Sequence, residues 1–166
     1  MIYAFDTYYY DEYAKTICIS FEDWTSEKES EIYSEETSII SVYESGAFFK
    51  RELPCILSLL SKIELKEGDI VIVDGYVTLN DEGKKGLGGY LYEALEQNYP
   101  VIGIAKNGFS SPDPRRRNVY RGESKTPLFV TSMGIDVDEI KDSVEKMYGS
   151  YRIPALLKKL DQLTRE

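Results

Sequence analysis

The apolar positions of the chain fall in short runs broken by polar turns, and the spacing of the runs changes partway along. Met1 to Phe5 is a short apolar run of the kind a buried strand presents, and Tyr13 to Phe21, rich in β-branched and aromatic residues, predicts a second strand. Asp6 to Glu12 is a tyrosine-rich turn between them, and the charged stretch Glu22 to Glu31 reads as a loop. Strand character resumes over Ile32 to Tyr43, around Ile39-Ile40-Ser41-Val42. Three antiparallel strands are the simplest outcome. After Gly46 the pattern lengthens, and Leu53 to Ile63 predicts a buried helix with Pro54 at its first turn, where the missing N–H is harmless.

From there strand and helix patterns alternate. Asp69 to Val73 reads as a strand, about Gly86 to Asn98 as a helix, and Val101 to Ala105 as a strand. A loop with Pro112 and Pro114 leads to two short strands, around Asn118 to Arg121 and Pro127 to Thr131. Two helices close the chain, from about Val137 to Tyr148 and from about Pro154 to Leu163. The whole predicts an α/β fold: one domain over residues 1–166, a mixed sheet whose first three strands are antiparallel, and helices on both faces.

Composition narrows the chemistry. The chain has no histidine, which excludes Ser-His-Asp and Cys-His catalysis, histidine-ligated zinc and the usual neutral-pH proton shuttle. Chemistry must rest on carboxylates, Lys, Tyr or a metal. Cys18 and Cys55 both fall in apolar stretches and read as buried free thiols. The net charge of −9 argues against a broadly basic nucleic-acid surface, though a local patch is compatible with it. Arg115-Arg116-Arg117, with Lys106, Arg121 and Lys125 near in sequence, is the one dense cationic region, readable either as a solvated loop or as a phosphate-contacting one. No apolar run is long enough to span a membrane and no basic segment leads into a signal-like core, so cytoplasmic residence is expected.

Three acidic residues stand where apolar runs give way to turns or a loop to a helix. Asp6 follows the first strand, Asp74 ends Ile70-Val71-Ile72-Val73-Asp74-Gly75, and Glu52 precedes the Pro54 helix. A carboxylate at the end of a buried strand is costly unless its charge is compensated. If the first and fourth strands lie side by side and parallel, Asp6 and Asp74 share one sheet edge. Clustered carboxylates without histidine suit a hard cation, Mg²⁺ or Mn²⁺, and phosphoryl transfer. Lys106, after the apolar run Val101 to Ala105, would emerge at the same edge and could face a phosphate. Each residue also has a structural role open to it. Asp6 and Asp74 suit turns, Glu52 suits a helix N-terminus, and Lys106 suits a salt bridge.

These residues sit in blocks that resemble the endonuclease V family. Ala4-Phe5-Asp6 is similar to the family's first aspartate motif. The run from Tyr43 through Gly46 and Glu52 to Pro54 is similar to its wedge-and-glutamate segment. Val73-Asp74-Gly75, Gly86-Leu87-Gly88 and Ile102-Gly103-Ile104-Ala105-Lys106 resemble its central aspartate, leucine-glycine and lysine blocks. Thr126 to Thr131 and Tyr151-Arg152-Ile153-Pro154 resemble its closing segments. The resemblance implies a ribonuclease H-like fold and nicking of DNA or RNA near inosine. It implies Asp6, Glu52 and Asp74 as ligands of Mg²⁺ or Mn²⁺, Lys106 as the active-site lysine, and Tyr43 as a wedge that parts the strand beside Gly46. Where the family carries histidines, this chain has Asn80, Gly86 and Ile135, which leaves Asp136 as a further candidate oxygen ligand. The losses keep open an alternative, a non-catalytic relative that binds nucleic acid, a phosphate ligand or a protein.

Overall fold

Alternation of buried residues along each strand decides what covers the sheet. The computed structural model describes residues 1–38 and 48–166. Its strands are β1 (Ile2–Tyr9), β2 (Tyr13–Phe21), β3 (Glu31–Ser38), β4 (Ile70–Asp74), β5 (Val101–Ala105), β6 (Arg117–Val119) and β7 (Leu128–Met133). Its helices are α1 (Phe48–Leu60), α2 (Leu87–Ala94), α3 (Val137–Glu145) and α4 (Ala155–Thr164). The strands form one sheet in the order β3-β2-β1-β4-β5-β7-β6. The meander β1-β2-β3 is antiparallel, as the sequence predicts. β4 joins β1 in parallel, β5 joins β4 in parallel, and β7 runs back against β5.

Side chains on successive strand residues point to opposite faces, so residue parity sorts the core into two halves. Ile2, Ala4, Ile72, Ile102 and Ile104 face α3 and α4, meeting Ile140, Val144, Leu156 and Leu160. Tyr3, Phe5, Val71, Val73 and Val101 face α1 and α2, meeting Ile56, Leu59, Leu60, Leu87 and Leu91. Both faces are therefore covered, and the central strands β4 and β5 read as nearly unbroken apolar runs for that reason.

Several boundaries differ from the sequence reading. α1 begins at Phe48, so Pro54 lies inside the helix and Glu52 is beyond its first turn, which holds no acidic residue. The apolar stripe of α1, packed on the sheet, outweighs the backbone hydrogen bond that Pro54 cannot make. α2 stops at Ala94 rather than near Asn98, because Glu96 and Gln97 take positive φ values of 57° and 60° and break the helix. α3 ends at Glu145, β6 covers only Arg117–Val119, and β7 runs on to Met133. The predicted strand residues Ile39 to Val42, with Tyr43 and Gly46, lie outside the described residues. No helix of the described residues is long and apolar enough to cross a membrane.

Candidate active site

Parity brings three of the predicted residues together. Asp6, Asp74 and Lys106 are all even-numbered, like Ala4, Ile72 and Ile104, and so project onto the α4 face at one edge of the sheet. They line a narrow recess together with Ile72, Ile104, Leu128, Leu157 and Leu160. Glu52 reaches the same edge from the opposite face, carried by α1. Its stripe partners Ile56 and Leu59 are buried against Tyr3 and Phe5.

The charges of the three groups also act on one another. Burial, then the charges of Asp74 and Asp6, push the Glu52 carboxyl up to about 8. Burial and Asp74 push Asp6 up to about 7, against the lowering effect of Lys106. Asp74 is also raised, by burial first, although its side chain opens to solvent at the mouth of the recess. The protein's own cations do not bring these groups back to ordinary carboxylate values. Oxygen-only donors of this kind, crowded and under-compensated, fit a hard divalent cation. As they stand, no three His, Cys, Asp or Glu side chains among the described residues close into a metal cage, so binding would need side-chain rotation. The donor chemistry fits, and the cage is not preformed.

A fourth carboxylate was missed in the sequence. Asp161 of α4 places Oδ1 3.7 Å from Lys106 Nζ and 3.4 Å from Arg165 Nε. Its charge acts on both Asp6 and Asp74. The only signal was its position beside the buried stripe Leu156, Leu160 and Thr164. Arg152, noted only as part of a family-like segment, donates to the carbonyl oxygens of Lys106 and Pro127 and so fixes the backbone from which Lys106 projects.

Asp136 does not join the cluster. β7 is antiparallel to β5, with Met133 opposite Val101, so residues 134–136 emerge beside Pro100 at the far edge of the sheet. There the Asp136 carboxylate accepts from Asp138 N and caps α3. The strand β5 lies between it and Lys106, a separation of roughly 15 Å.

The arginine triplet is committed to partners within the protein, although Arg115 stays exposed. Arg115 bonds Asp113 Oδ1 at 3.2 Å and the carbonyls of Asn80 and Asp81. Arg116 bonds the carbonyls of Leu79, Phe109 and Ser111 and lies over the Tyr76 ring. Arg117 pairs with Asp138 at 2.7 Å. Together with a 2.5 Å bond from Thr78 Oγ1 to Asp113 Oδ2, Arg115 and Arg116 bind the loop after β4 to the loop after β5, while Arg117 ties the latter to α3.

The glycine of Asp74-Gly75 has φ 127°, and the turn it starts is closely backed. A Cβ on Gly103 would lie 2.5 Å from Gly75 O and 2.9 Å from Val77 N. The buried Thr131 hydroxyl accepts from Val77 N at 2.8 Å. The glycine in the lysine block and the threonine in a closing block thus serve one purpose, holding the backbone that follows Asp74.

A family model, Endonuclease V, matches residues 1–151, most of the chain. The chain belongs to the endonuclease V family. Solved structures agree on the fold. Human ENDOV superposes with a TM-score of 0.74 at 19% identity, over 99% of this chain and 82% of that one. Endonuclease V from Bacillus subtilis gives 0.74 at 21%, over 99% and 78%. The Ciona intestinalis enzyme, in complex with a 24mer DNA containing an inosine followed by a ribo-adenosine, gives 0.76 at 16%, over 99% and 84%. No curated protein matches the chain. The ribonuclease H-like architecture of endonuclease V is therefore that of this chain. Asp161 falls beyond the matched residues of the family model.

Proposed function

We propose that this endonuclease V family member is a metal-dependent endonuclease that hydrolyses phosphodiester bonds in inosine-containing or otherwise distorted DNA or RNA. The observation that carries the reading is that Asp6 and Asp74 share one recess with Lys106, while Glu52 is near enough for both aspartates to raise its pKa. The inosine part rests on family membership and on the Ciona intestinalis complex. Cytoplasmic residence belongs to the same reading and rests on the sequence.

Asp6, Glu52 and Asp74 would hold Mg²⁺ or Mn²⁺. When bound, such an ion activates a water as nucleophile and offsets charge on the leaving oxygen. The carboxylates shed protons to receive it, which their raised pKa values make a neutral-pH event. Lys106 is a third exposed and reaches the recess, where its ammonium can neutralise a phosphate oxygen. Asp161 holds Lys106 until a phosphate competes for it. Tyr43 and Gly46 are proposed, on the resemblance, to part the strand around the distorted base. In the proposed function Arg115 and Arg116 fix the loops that flank the site, and phosphate contact by the triplet, which the sequence suggests, is part of the same proposal.

Incubation with Mn²⁺ and labelled inosine-containing strands of DNA and of RNA tests the reading. Nicking near inosine is expected, lost in Asp74→Ala and in excess chelator. Cleavage that is unchanged in Asp74→Ala sinks it. Strand binding without cleavage supports the non-catalytic alternative.

A further inference from the structure

One buried polar group beside the carboxylates is left without a role. The hydroxyl of Tyr9 is shielded from solvent and makes no hydrogen bond among the described residues. A buried hydroxyl without a partner costs stability, and a phenylalanine would fill the same space without that cost. Its place in the fold is informative. Tyr9 is the last residue of β1, three beyond Asp6, and alternation sets it on the face of Tyr3 and Phe5, which α1 covers. Stepping back along the buried stripe of α1 from Leu59 to Ile56 and then one further turn reaches Glu52, over the same end of β1. The neighbouring Arg51 guanidinium lies 3.7 Å from the centre of the Tyr9 ring, which holds the ring under the first turns of the helix. Burial and then the charge of Glu52 raise the phenol's pKa, so it stays an O–H donor at neutral pH.

We propose that Tyr9 is a positioning residue for Glu52: when the carboxylates turn in around a metal ion, its unpaired hydroxyl donates to the Glu52 carboxylate and holds that helix-borne side chain toward Asp6 and Asp74 on their strands. The inference rests on the reading of the cluster as a metal site. It answers a geometric problem, since Glu52 comes from the opposite face and must be turned round the sheet edge to join the other two. The donor keeps the ionised carboxylate in one orientation, and its lack of another partner leaves it available for that bond.

Tyr9→Phe removes one oxygen and leaves the ring in place. The melting temperature without metal is expected to be unchanged or higher. The Mn²⁺ concentration needed for half-maximal thermal stabilisation should rise about ten-fold, the worth of one hydrogen bond to a charged group. Where strands are cleaved, kcat should fall by a similar factor at unchanged KM. In a Glu52→Gln background the same substitution should have no further effect on the Mn²⁺ midpoint. An unchanged Mn²⁺ midpoint in Tyr9→Phe overturns the proposal. So does a lowered melting temperature with equal losses in both backgrounds, which would mark the hydroxyl as a fold anchor. A wild-type protein that binds Mn²⁺ but cleaves nothing overturns the nuclease reading alone, because the midpoint still decides the role of Tyr9. One that does not bind Mn²⁺ overturns both.

Discussion

Asp6, Glu52 and Asp74 repel one another, and that fixes how the protein responds to pH. Folded-state values near 7 for Asp6 and near 8 for Glu52 lie well above those of an unfolded chain, so the native state binds more protons across the interval between them. These two groups therefore contribute stability to the metal-free protein that is present at acid pH and is lost as pH rises through 7 to 8. Thermal melts from pH 5.5 to 8.5 in a chelating buffer check this, and a melting temperature that rises across that range refutes it. Asp74→Asn removes one source of the repulsion. It should raise the metal-free melting temperature at pH 8 while abolishing stabilisation by Mn²⁺, a pair of opposite shifts that a packing defect cannot produce. The sequence made Asp74 and Lys106 legible because the ends of parallel neighbours share an edge; Asp6, expected to end the first strand, lies inside β1, which runs on to Tyr9, but still falls level with the end of β4. Glu52 was a weaker candidate on pattern alone, since a glutamate near a helix start is ordinary, and its block gave it more weight. Asp161 was hidden for a related reason: a charge beside the apolar stripe of an amphipathic helix is what solvent exposure also predicts. Asp136 was misplaced because its location depends on the direction of β7, which local pattern does not encode.

At the level of elements, the site depends on backbone held in place from behind. β4 ends at Asp74, and the turn that follows rests on Gly103 of β5 and on Thr131 of β7. Gly103→Ala would drive a methyl into Gly75 O, at a cost of about 1–3 kcal/mol for overpacking in a rigid core. Because the displaced atoms adjoin Asp74, the Mn²⁺ response should fall further than stability does. Denaturant melts with and without Mn²⁺ separate the two, and a variant that loses stability but keeps the full Mn²⁺ shift would show that the turn does not position Asp74. The arginine triplet teaches the complementary lesson. Its cationic character was plain in the sequence, yet its partners are mostly carbonyl oxygens of the 76–86 and 106–116 loops, and every residue has a carbonyl. Residue type could not reveal them. Breaking the buried Thr78–Asp113 bond with Thr78→Val should release both loops together, seen as faster amide exchange across them while β4 and β5 remain protected.

For the whole molecule, the question is how a chain with net charge −9 meets a polyanion. Long-range attraction is unavailable, and several of the cations are already matched: Lys62 with Glu35, Arg115 with Asp113, Arg117 with Asp138 and Lys159 with Glu29. On the proposed function, contact with phosphate is short-ranged and confined to a few groups at the site, Lys106 foremost. Counterion release scales with the number of phosphates neutralised, at a log–log slope of about −0.7 per contact for a single strand. Two or so contacts give a slope of roughly −1.5, far shallower than a broadly basic nuclease would show. The long-range term works in the opposite sense, because salt screens the repulsion between protein and strand and flattens the slope further. The measurement is fluorescence anisotropy of an inosine-containing strand protected at the scissile bond, across a KCl series at fixed Mn²⁺. Lys106→Ala should flatten the slope by about 0.7, the share of one phosphate. A wild-type slope steeper than about −5 would require a basic surface that the described residues do not supply, and would place the strand on groups other than the carboxylate edge.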